Sequence, residues 1–342
     1  MNPYKEFDSG DMYLVLKDYH EQVKHIINSK IEIEKKLYSS INKIVVTGLG
    51  GSAISGDVVY TLFYDQITVP YFVNRNYDLP NFIDDKTLVI ACSYSGNTEE
   101  TLSAFHNAIS KNCKVITLSS GGKLKDMANE LGVPHFSVPS GYQPRCAIGL
   151  MLTTLIRIFE KLELYRLSED FYSEVLNLWS RKSNEYAHAE SKPYDLATRL
   201  LGRFPVIHST ELLQSINVRF RSQLAENSKV LSYSGFIPEL NHNEIIAWEK
   251  YDEKFLPAIL IQIIDENDHQ RNKLRFSITR EILSEVKLEN IVLQSTEKSY
   301  HLRIFDLIYF VDWVSFYLAV MRKIDPTPIK NINVLKETLS KN

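Results

Sequence analysis

KIVVTGLGGSAISGDVVYTLF (residues 43–63) and TLVIACSYSGNTEETLSAF (residues 87–105) share one grammar: a short β-rich apolar run, a turn of small residues, then a helical pattern. Working outward, further β-rich runs stand at TVPYFV (68–73), KVITLSS (114–120) and PHFSVP (134–139), with helix-length segments between them. Strands alternating with helices predict a parallel sheet wound with helices. The alternation returns with FPVIHS (204–209), PAILIQII (257–264) and NIVLQS (290–295). The first half has three glycine- or serine-rich strand-to-helix turns and the second almost none, so the halves look like a ligand-binding domain and a diverged copy of it.

Helices account for the rest. Residues 11–36 carry apolar positions at helical spacing (Met12, Leu16, Val23, Ile26) and predict one or two packing helices. Residues 150–188 have the same spacing with no glycine or proline and predict a helical connector. FDLIYFVDWVSFYLAVMRKI (305–324) is strongly helical, and Pro326 and Pro328 interrupt it before a short terminal helix. The expected organisation is N-terminal helices over 1–36, a first α/β domain over 37–150, a connector over 151–195, a second α/β domain over 196–320 and a tail over 321–342.

Composition narrows the class. The 342 residues give about two domains at roughly 150 residues each. Hydrophobic residues are 44% and charged residues 24%, which excludes a disordered or fibrous chain. A net charge of −3 offers no global field for a nucleic acid or an anionic membrane, so an anionic ligand must be held locally. Three cysteines without a CxxC pair support neither a disulfide framework nor a cysteine-built zinc site and point to a reducing compartment. The N-terminus lacks a basic start followed by an apolar run, and apolar stretches look broken by charge before the roughly 20 residues of a membrane span. A soluble, cytoplasmic protein is expected.

Gly48, Gly50 and Ala53 satisfy G-x-G-x-x-G/A, so a dinucleotide site has to be weighed. The next strand runs into Asn74 and Arg75 and not into an acidic residue, so the ribose partner of NAD is missing, although an NADP variant stays open. The alternatives are a tight turn without ligand and close approach by another small polar ligand near Gly51 and Ser52. In the second motif Ser93, Ser95, Gly96, Asn97 and Thr98 precede a helix, where free amide donors and the positive dipole end favour an anion. That pattern is a neutral phosphate cradle without the lysine of a nucleotide loop; its bland alternative is Thr98 acting only as a helix cap.

GLGGSAISGD followed by CSYSGNTEETL resembles the sugar isomerase (SIS) domain, a flavodoxin-like α/β unit that binds sugar phosphates. SGYQPRCAIG (140–149), AENSK (225–229), PELNHNEIIAW (238–248) and DPTPIKNINVLK (325–336) resemble more narrowly the bifunctional phosphoglucose/phosphomannose isomerase family. The resemblance spans about residue 43 to the C-terminus. It implies two SIS parallel-sheet domains joined by helices, with helical extensions at both ends. It matches Ser93, Ser95 and Thr98 to phosphate-binding hydroxyls and Gly51 and Ser52 to sugar contacts. It places Arg145 near C1 and C2, Glu226 at the base position, His242 at the ring-opening position, and Lys336 at a matching lysine near the C-terminus. Ser55 stands where the family usually has a glycine. The family also implies a homodimer with the histidine placed across the subunit interface.

Moving hydrogen between C1 and C2 of an aldose needs ring opening, one base that returns the proton to the neighbouring carbon, and positive charge on the enediolate oxygen. A carboxylate, an imidazole and a guanidinium supply these. That chemistry agrees with an aldose–ketose isomerase, and the resemblance implies a glucose/mannose 6-phosphate isomerase with no cofactor. No metal is expected either, since His269 and His301 lack metal-ligand spacing. A noncatalytic sugar-phosphate sensor is disfavoured by residues 1–40, whose six lysines are balanced by seven acids where a DNA-binding segment would be basic. An isomerase for a pentose or heptose phosphate is disfavoured by the two-domain length.

Overall fold

The computed structural model describes residues 2–341. Two short helices, α1 (Met12–Lys17) and α2 (Tyr19–Asn28), come first. The first alternation is β1 (Lys43–Thr47), α3 (Gly50–Phe63), β2 (Tyr71–Asn74), β3 (Thr87–Cys92), α4 (Glu99–Ser110), β4 (Lys114–Ser119), α5 (Gly122–Glu130) and β5 (His135–Ser137). Helices α6 (Ile148–Lys161), α7 (Phe171–Tyr186) and α8 (Lys192–Arg199) follow. The second alternation is β6 (Phe204–Thr210), α9 (Gln214–Glu226), β7 (Tyr233–Ile237), β8 (Ala258–Ile263), α10 (Gln270–Glu285) and β9 (Asn290–Leu293). Helices α11 (Tyr300–Met321) and α12 (Lys330–Leu339) close the chain.

Two compact units result. One comprises residues 18–181 and 299–304, the other residues 2–17, 182–298 and 305–341. The first holds a five-stranded sheet in the order β2-β1-β3-β4-β5, the second a four-stranded sheet in the order β7-β6-β8-β9. Every strand pair is parallel. Counted within each unit the orders are 2-1-3-4-5 and 2-1-3-4, so the second sheet repeats the flavodoxin-like winding of the first without its last strand. β3 and β8 are buried along their whole length, which explains their uninterrupted apolar runs.

β7 is the strand that the sequence pattern does not announce. YSGFI carries a serine and a glycine, lies at the sheet edge and is only partly buried, so it has neither the apolar run of a central strand nor a clean alternation.

α11 corrects the expectation about apolar stretches. It has 22 residues, and its most apolar window has a mean hydropathy of 1.7, so it is long and apolar enough to cross a membrane. Yet 94% of that window is buried inside the protein, as in a core helix. Its polar groups explain the fit. Asp312 accepts from Arg219 Nε at 2.9 Å and Nη2 at 2.5 Å, and from Gln223 Nε2 at 2.8 Å, all buried. One turn further along the same stripe, Asn227 Nδ2 donates to Ser315 Oγ at 2.9 Å, and next to it Ser228 Oγ donates to the Ser315 carbonyl at 2.6 Å. Positions 219, 223 and 227 recur every four residues, so a single stripe running off the end of α9 is fastened to α11.

Breaking this ladder at one member should be far worse than replacing the pair. Asp312→Ala should cost about 3–5 kcal/mol, because it leaves a buried guanidinium without its carboxylate, whereas Arg219→Met combined with Asp312→Leu should cost much less. Urea unfolding of the two variants beside wild type checks the order.

Candidate functional site

In a parallel sheet wound in the order 2-1-3, the loops leaving strands 1 and 3 run to opposite faces and open a crevice at their C-terminal ends. In the first unit those strands are β1 and β3. The turn after β1 begins α3, and Gly50 there has φ +52°. A Cβ on Gly48 would lie 2.7 Å from the Cys92 carbonyl, and one on Gly51 3.1 Å from the Pro144 carbonyl and 3.5 Å from Arg145 Cα. The glycines thus let three backbone segments meet: the β1 turn, the end of β3, and the 3-10 turn Pro144–Cys146 that carries Arg145. Arg145 is 3% exposed, so its charge is held in the protein at the mouth of the crevice. Gln22 on α2 fastens this turn, donating to the Cys146 carbonyl at 2.8 Å and accepting from Leu150 N at 3.2 Å.

The loop after β3 supplies the hydroxyls. Ser93 and Thr98 pair through their hydroxyls at 2.9 Å, and Ser95 Oγ accepts from Asn97 N at 3.3 Å. Thr98 sits at the N-cap of α4 but makes no side-chain cap bond, because its hydroxyl turns to Ser93 instead. The plain capping role is therefore not the one it plays. The amide groups of the first turn of α4 stay available at the positive end of a 12-residue helix. Ser52 Oγ accepts from Tyr94 N at 3.2 Å, which locks the first motif to the second. Ser55 Oγ donates to the Gly51 carbonyl at 2.9 Å, an ordinary bond to the preceding helical turn that occupies its hydroxyl within α3.

Tyr94, which sequence reasoning passed over, is the hub of this loop. Its hydroxyl donates to the Pro139 carbonyl at 3.0 Å and accepts from Tyr142 N at 3.1 Å, and its carbonyl accepts from Ser120 N at 2.8 Å and Oγ at 2.6 Å. It joins the phosphate-type loop to the segment leading into Arg145. An aromatic between two serines in a polar loop was the available signal.

Arg75, the residue that kept an NADP reading open, is paired with Asp57 of α3, and its position beyond β2 is thereby accounted for within the fold. Burial raises the carboxyl pKa of Asp57 above its ordinary value, and Arg75 opposes that shift. Cys92 is fully buried and its thiol is pushed up by burial, so it packs and does not react.

The other predicted residues stand in the second unit. Glu226 is the last residue of α9 and half-buried; its carbonyl accepts from Lys229 Nζ at 2.5 Å, and the same ammonium reaches the Pro326 carbonyl at 3.2 Å. His242 ends a short 3-10 turn, Glu239–His242, and is exposed. Lys336 lies on α12, exposed, on a helix with no buried residue. Neither the His242 nor the Lys336 side chain pairs with another side chain among the described residues. Glu226, His242 and Lys336 thus occupy three different elements.

The second sheet's equivalent of the hydroxyl loop is the β8–α10 turn, and it has changed character. It reads Asp265-Glu266-Asn267-Asp268, with Thr210 Oγ1 donating to Asp268 Oδ1 at 2.8 Å. Burial raises the Asp268 pKa, and the hydrogen bonds it accepts from the Asp265 amide and the Thr210 hydroxyl oppose that rise. A turn of carboxylates repels an anion, where the first unit's turn offers hydroxyls and helix-start amides. A cavity of about 270 Å³ elsewhere in the second unit, lined by Lys182, Tyr186, Arg199, Ser295 and Asp306 among others, contains none of the predicted residues.

A crevice of glycine turn, hydroxyl loop and buried arginine on a 2-1-3-4-5 sheet defines an SIS-type phosphosugar protein. Residues 37–130 match the SIS domain family, and residues 189–339 match the family described as bacterial phospho-glucose isomerase C-terminal SIS domain. The chain is 39% identical over 319 residues to a bifunctional phosphoglucose/phosphomannose isomerase of Caldicellulosiruptor bescii, covering 92% of this chain and 94% of that one. It is 37% identical to the protein of the same name from Aquifex aeolicus, covering 87% and 90%. A solved structure of a hypothetical protein from Thermus thermophilus superposes with a TM-score of 0.76 at 18% identity, over 97% of this chain and 90% of that one. The chain belongs to the bifunctional phosphoglucose/phosphomannose isomerase family.

Gly96 offers a test of the loop geometry. It has φ +69°, and a Cβ there would lie 1.7 Å from the Gly121 carbonyl. Gly132, at φ +65°, has nothing within 4 Å. Gly132→Ala should cost about 1 kcal/mol for backbone conformation alone, and Gly96→Ala at least about twice that. Denaturant midpoints of the two variants check the difference.

Proposed function

We propose that this protein is an aldose–ketose isomerase that interconverts glucose 6-phosphate and mannose 6-phosphate with fructose 6-phosphate through an enediolate. The observation that carries the reading is the Ser93–Thr98 hydroxyl pair at the free amide end of α4, beside the Gly51 turn and buried Arg145. A phosphomonoester fits that loop by charge and by hydrogen-bonding type, with Ser95 adding a third hydroxyl. Gly51 lets the first turn of α3 close onto the Pro144–Arg145 backbone, and Ser52 stands beside it, where the family resemblance puts the sugar contacts. The membership in the isomerase family supports the reaction class.

The roles follow from the chemistry. His242 passes the proton between ring oxygen and C1 hydroxyl that opens the pyranose. Glu226 takes the C2 proton of the open aldose and returns it to C1, and its Oε carries that proton between the two carbons. Arg145 stabilises the oxyanion that develops on the enediolate, and Lys336 supplies a second positive charge. The bonds balance without an external oxidant or reductant, because C1 is reduced as C2 is oxidised. A cytoplasmic location suits such a metabolite enzyme. The experiment is a coupled assay with each aldose phosphate, in which wild type turns over both. Glu226→Gln should bind substrate with little change and lose about 10²- to 10⁴-fold in kcat, since the amide keeps the shape but accepts no proton. A rate within a few-fold of wild type would assign the base elsewhere.

The enzyme is further read as a homodimer in which His242 acts on the partner's substrate. Its exposure and its lack of side-chain partners among the described residues support that reading. Inactive Glu226→Gln and His242→Ala chains, mixed and allowed to exchange subunits, should partly recover activity, because one of the two sites in a mixed dimer then has neither defect. Heterodimers without recovery would return His242 to its own chain's site.

A further inference from the structure

Helix α10 has two apolar faces, one buried and one exposed. Its buried face is Phe276, Thr279 and Leu283. The opposite face carries Leu274, Ile278 and Ile282, which are 44%, 45% and 43% exposed. Four-residue spacing puts these three on one stripe, an apolar face left uncovered by the chain's own fold. Charges flank it in a fixed order: Arg271 and Arg275 towards the N-terminus, Glu281 and Glu285 towards the C-terminus. At 100° per residue, all seven positions fall within about 60° of Ile278. None of the four charged side chains enters an ion pair within its own chain among the described residues.

We propose that this face is the interface with a second copy of the chain, packed with α10 antiparallel to its mate across a twofold axis through Ile278. Antiparallel packing centred on Ile278 sets each residue opposite the one equally far on the other side of it. Leu274 then meets the partner subunit's Ile282, Arg271 meets the partner subunit's Glu285, and Arg275 meets the partner subunit's Glu281. Every charge finds its opposite and every apolar residue an apolar one. A partner with the reverse charge order is required, and the same helix turned round supplies it. This self-complementarity is what a C2 interface demands.

The patch does not end at the helix. A groove of about 220 Å³ beside it is lined by Asn241, Ile245, Arg271, Leu274, Arg275 and Ile278, and Ile246 next to it is 67% exposed. Asn241 Nδ2 donates to Thr279 Oγ1 at 3.0 Å, which ties the turn ending in His242 to α10. A copy seated on α10 therefore borders the loop that carries His242. The inference rests on the two-copy reading proposed above and assigns its surface.

The test uses the full chain and two charge-reversed variants, R271E/R275E and E281R/E285R. Arg271, Glu281 and Glu285 are exposed, Arg275 is half-buried with its guanidinium 3.5 Å from Asn241 Oδ1, and circular dichroism confirms folding. Each variant alone opposes like charges at all four contacts, and its homodimer should weaken at least about tenfold by sedimentation and native mass spectrometry. Mixed one to one, the two variants oppose unlike charges at all four contacts and should associate with each other in preference to themselves. If the wild type is dimeric and both variants dimerise as tightly as it does, this surface is wrong and the two-copy reading stands. If the wild type is monomeric at micromolar concentration, both fall.

Discussion

Everything that could touch a ligand in the first unit depends on one topological constraint: β1 and β3 are parallel neighbours whose following helices leave to opposite faces of the sheet. The winding leaves no helix over the end of that strand pair, so a crevice opens there. The chain fills it with turns and not with side chains. The glycine turn, the hydroxyl loop and the arginine turn converge because each is anchored to a strand or helix at that edge. The dipole ends of α3 and α4 follow from the same geometry, since each helix starts a few residues after its strand ends and so has its N-terminus at the C-terminal edge of the sheet.

Close convergence needs residues without a Cβ at particular points. At Gly96 the loop touches the Gly121 carbonyl, so the β3 and β4 turns interlock as backbone on backbone. Lys123 N donates to Asn97 Oδ1 at 3.1 Å and Leu124 N to the Gly96 carbonyl at 2.9 Å, which fixes the loop from behind. On the other side of the loop Ser95 is exposed, Thr98 half-buried and Ser93 buried. A loop held this way loses little conformational freedom on binding, so more of its interaction with an anion appears as affinity.

Much of this was legible in the sequence, and the reasons differ by element. The buried strands announced themselves because a strand covered on both faces must be apolar throughout, as β3 and β8 are. The glycine and hydroxyl turns were legible because few residue types satisfy a close approach or a positive φ. β7 was not, since an edge strand with serine and glycine carries no periodic signal. Nor was α11 legible as a core helix: composition cannot tell a membrane span from a helix buried in protein, and the deciding fact is that Asp312 meets Arg219, 93 residues away in sequence. Tyr94 escaped for the same reason, as its partners at Pro139 and Tyr142 are distant along the chain. Glu226 looked like any solvated helix-end glutamate, and only the motif around it singled it out.

The contrast between the two sheets gives the duplicated architecture its direction. Both keep the 2-1-3-4 winding, so both own an empty crevice and a helix start aimed at it. In the second unit Asp265 and Asp268 occupy the turn that hydroxyls occupy in the first, and the Asp265 amide donates to Asp268 Oδ2 at 2.8 Å, so the turn satisfies its own donor internally. A donor consumed within the loop, beside carboxylates, is unavailable to a phosphate, and the carboxylates repel it besides. The second unit's turn is thereby unsuited to an anion. What it carries instead is a general-base candidate on α9, whose stripe is fastened to the core through Arg219, Gln223 and Asn227. A base must hold its position to within a fraction of an ångström while it shuttles a proton, and a polar ladder with fixed bond directions specifies the register of a helix more sharply than apolar packing, which tolerates sliding. The first unit thus gathers its hydroxyls at a helix start, and the second turns its polar groups inward to fix a helix.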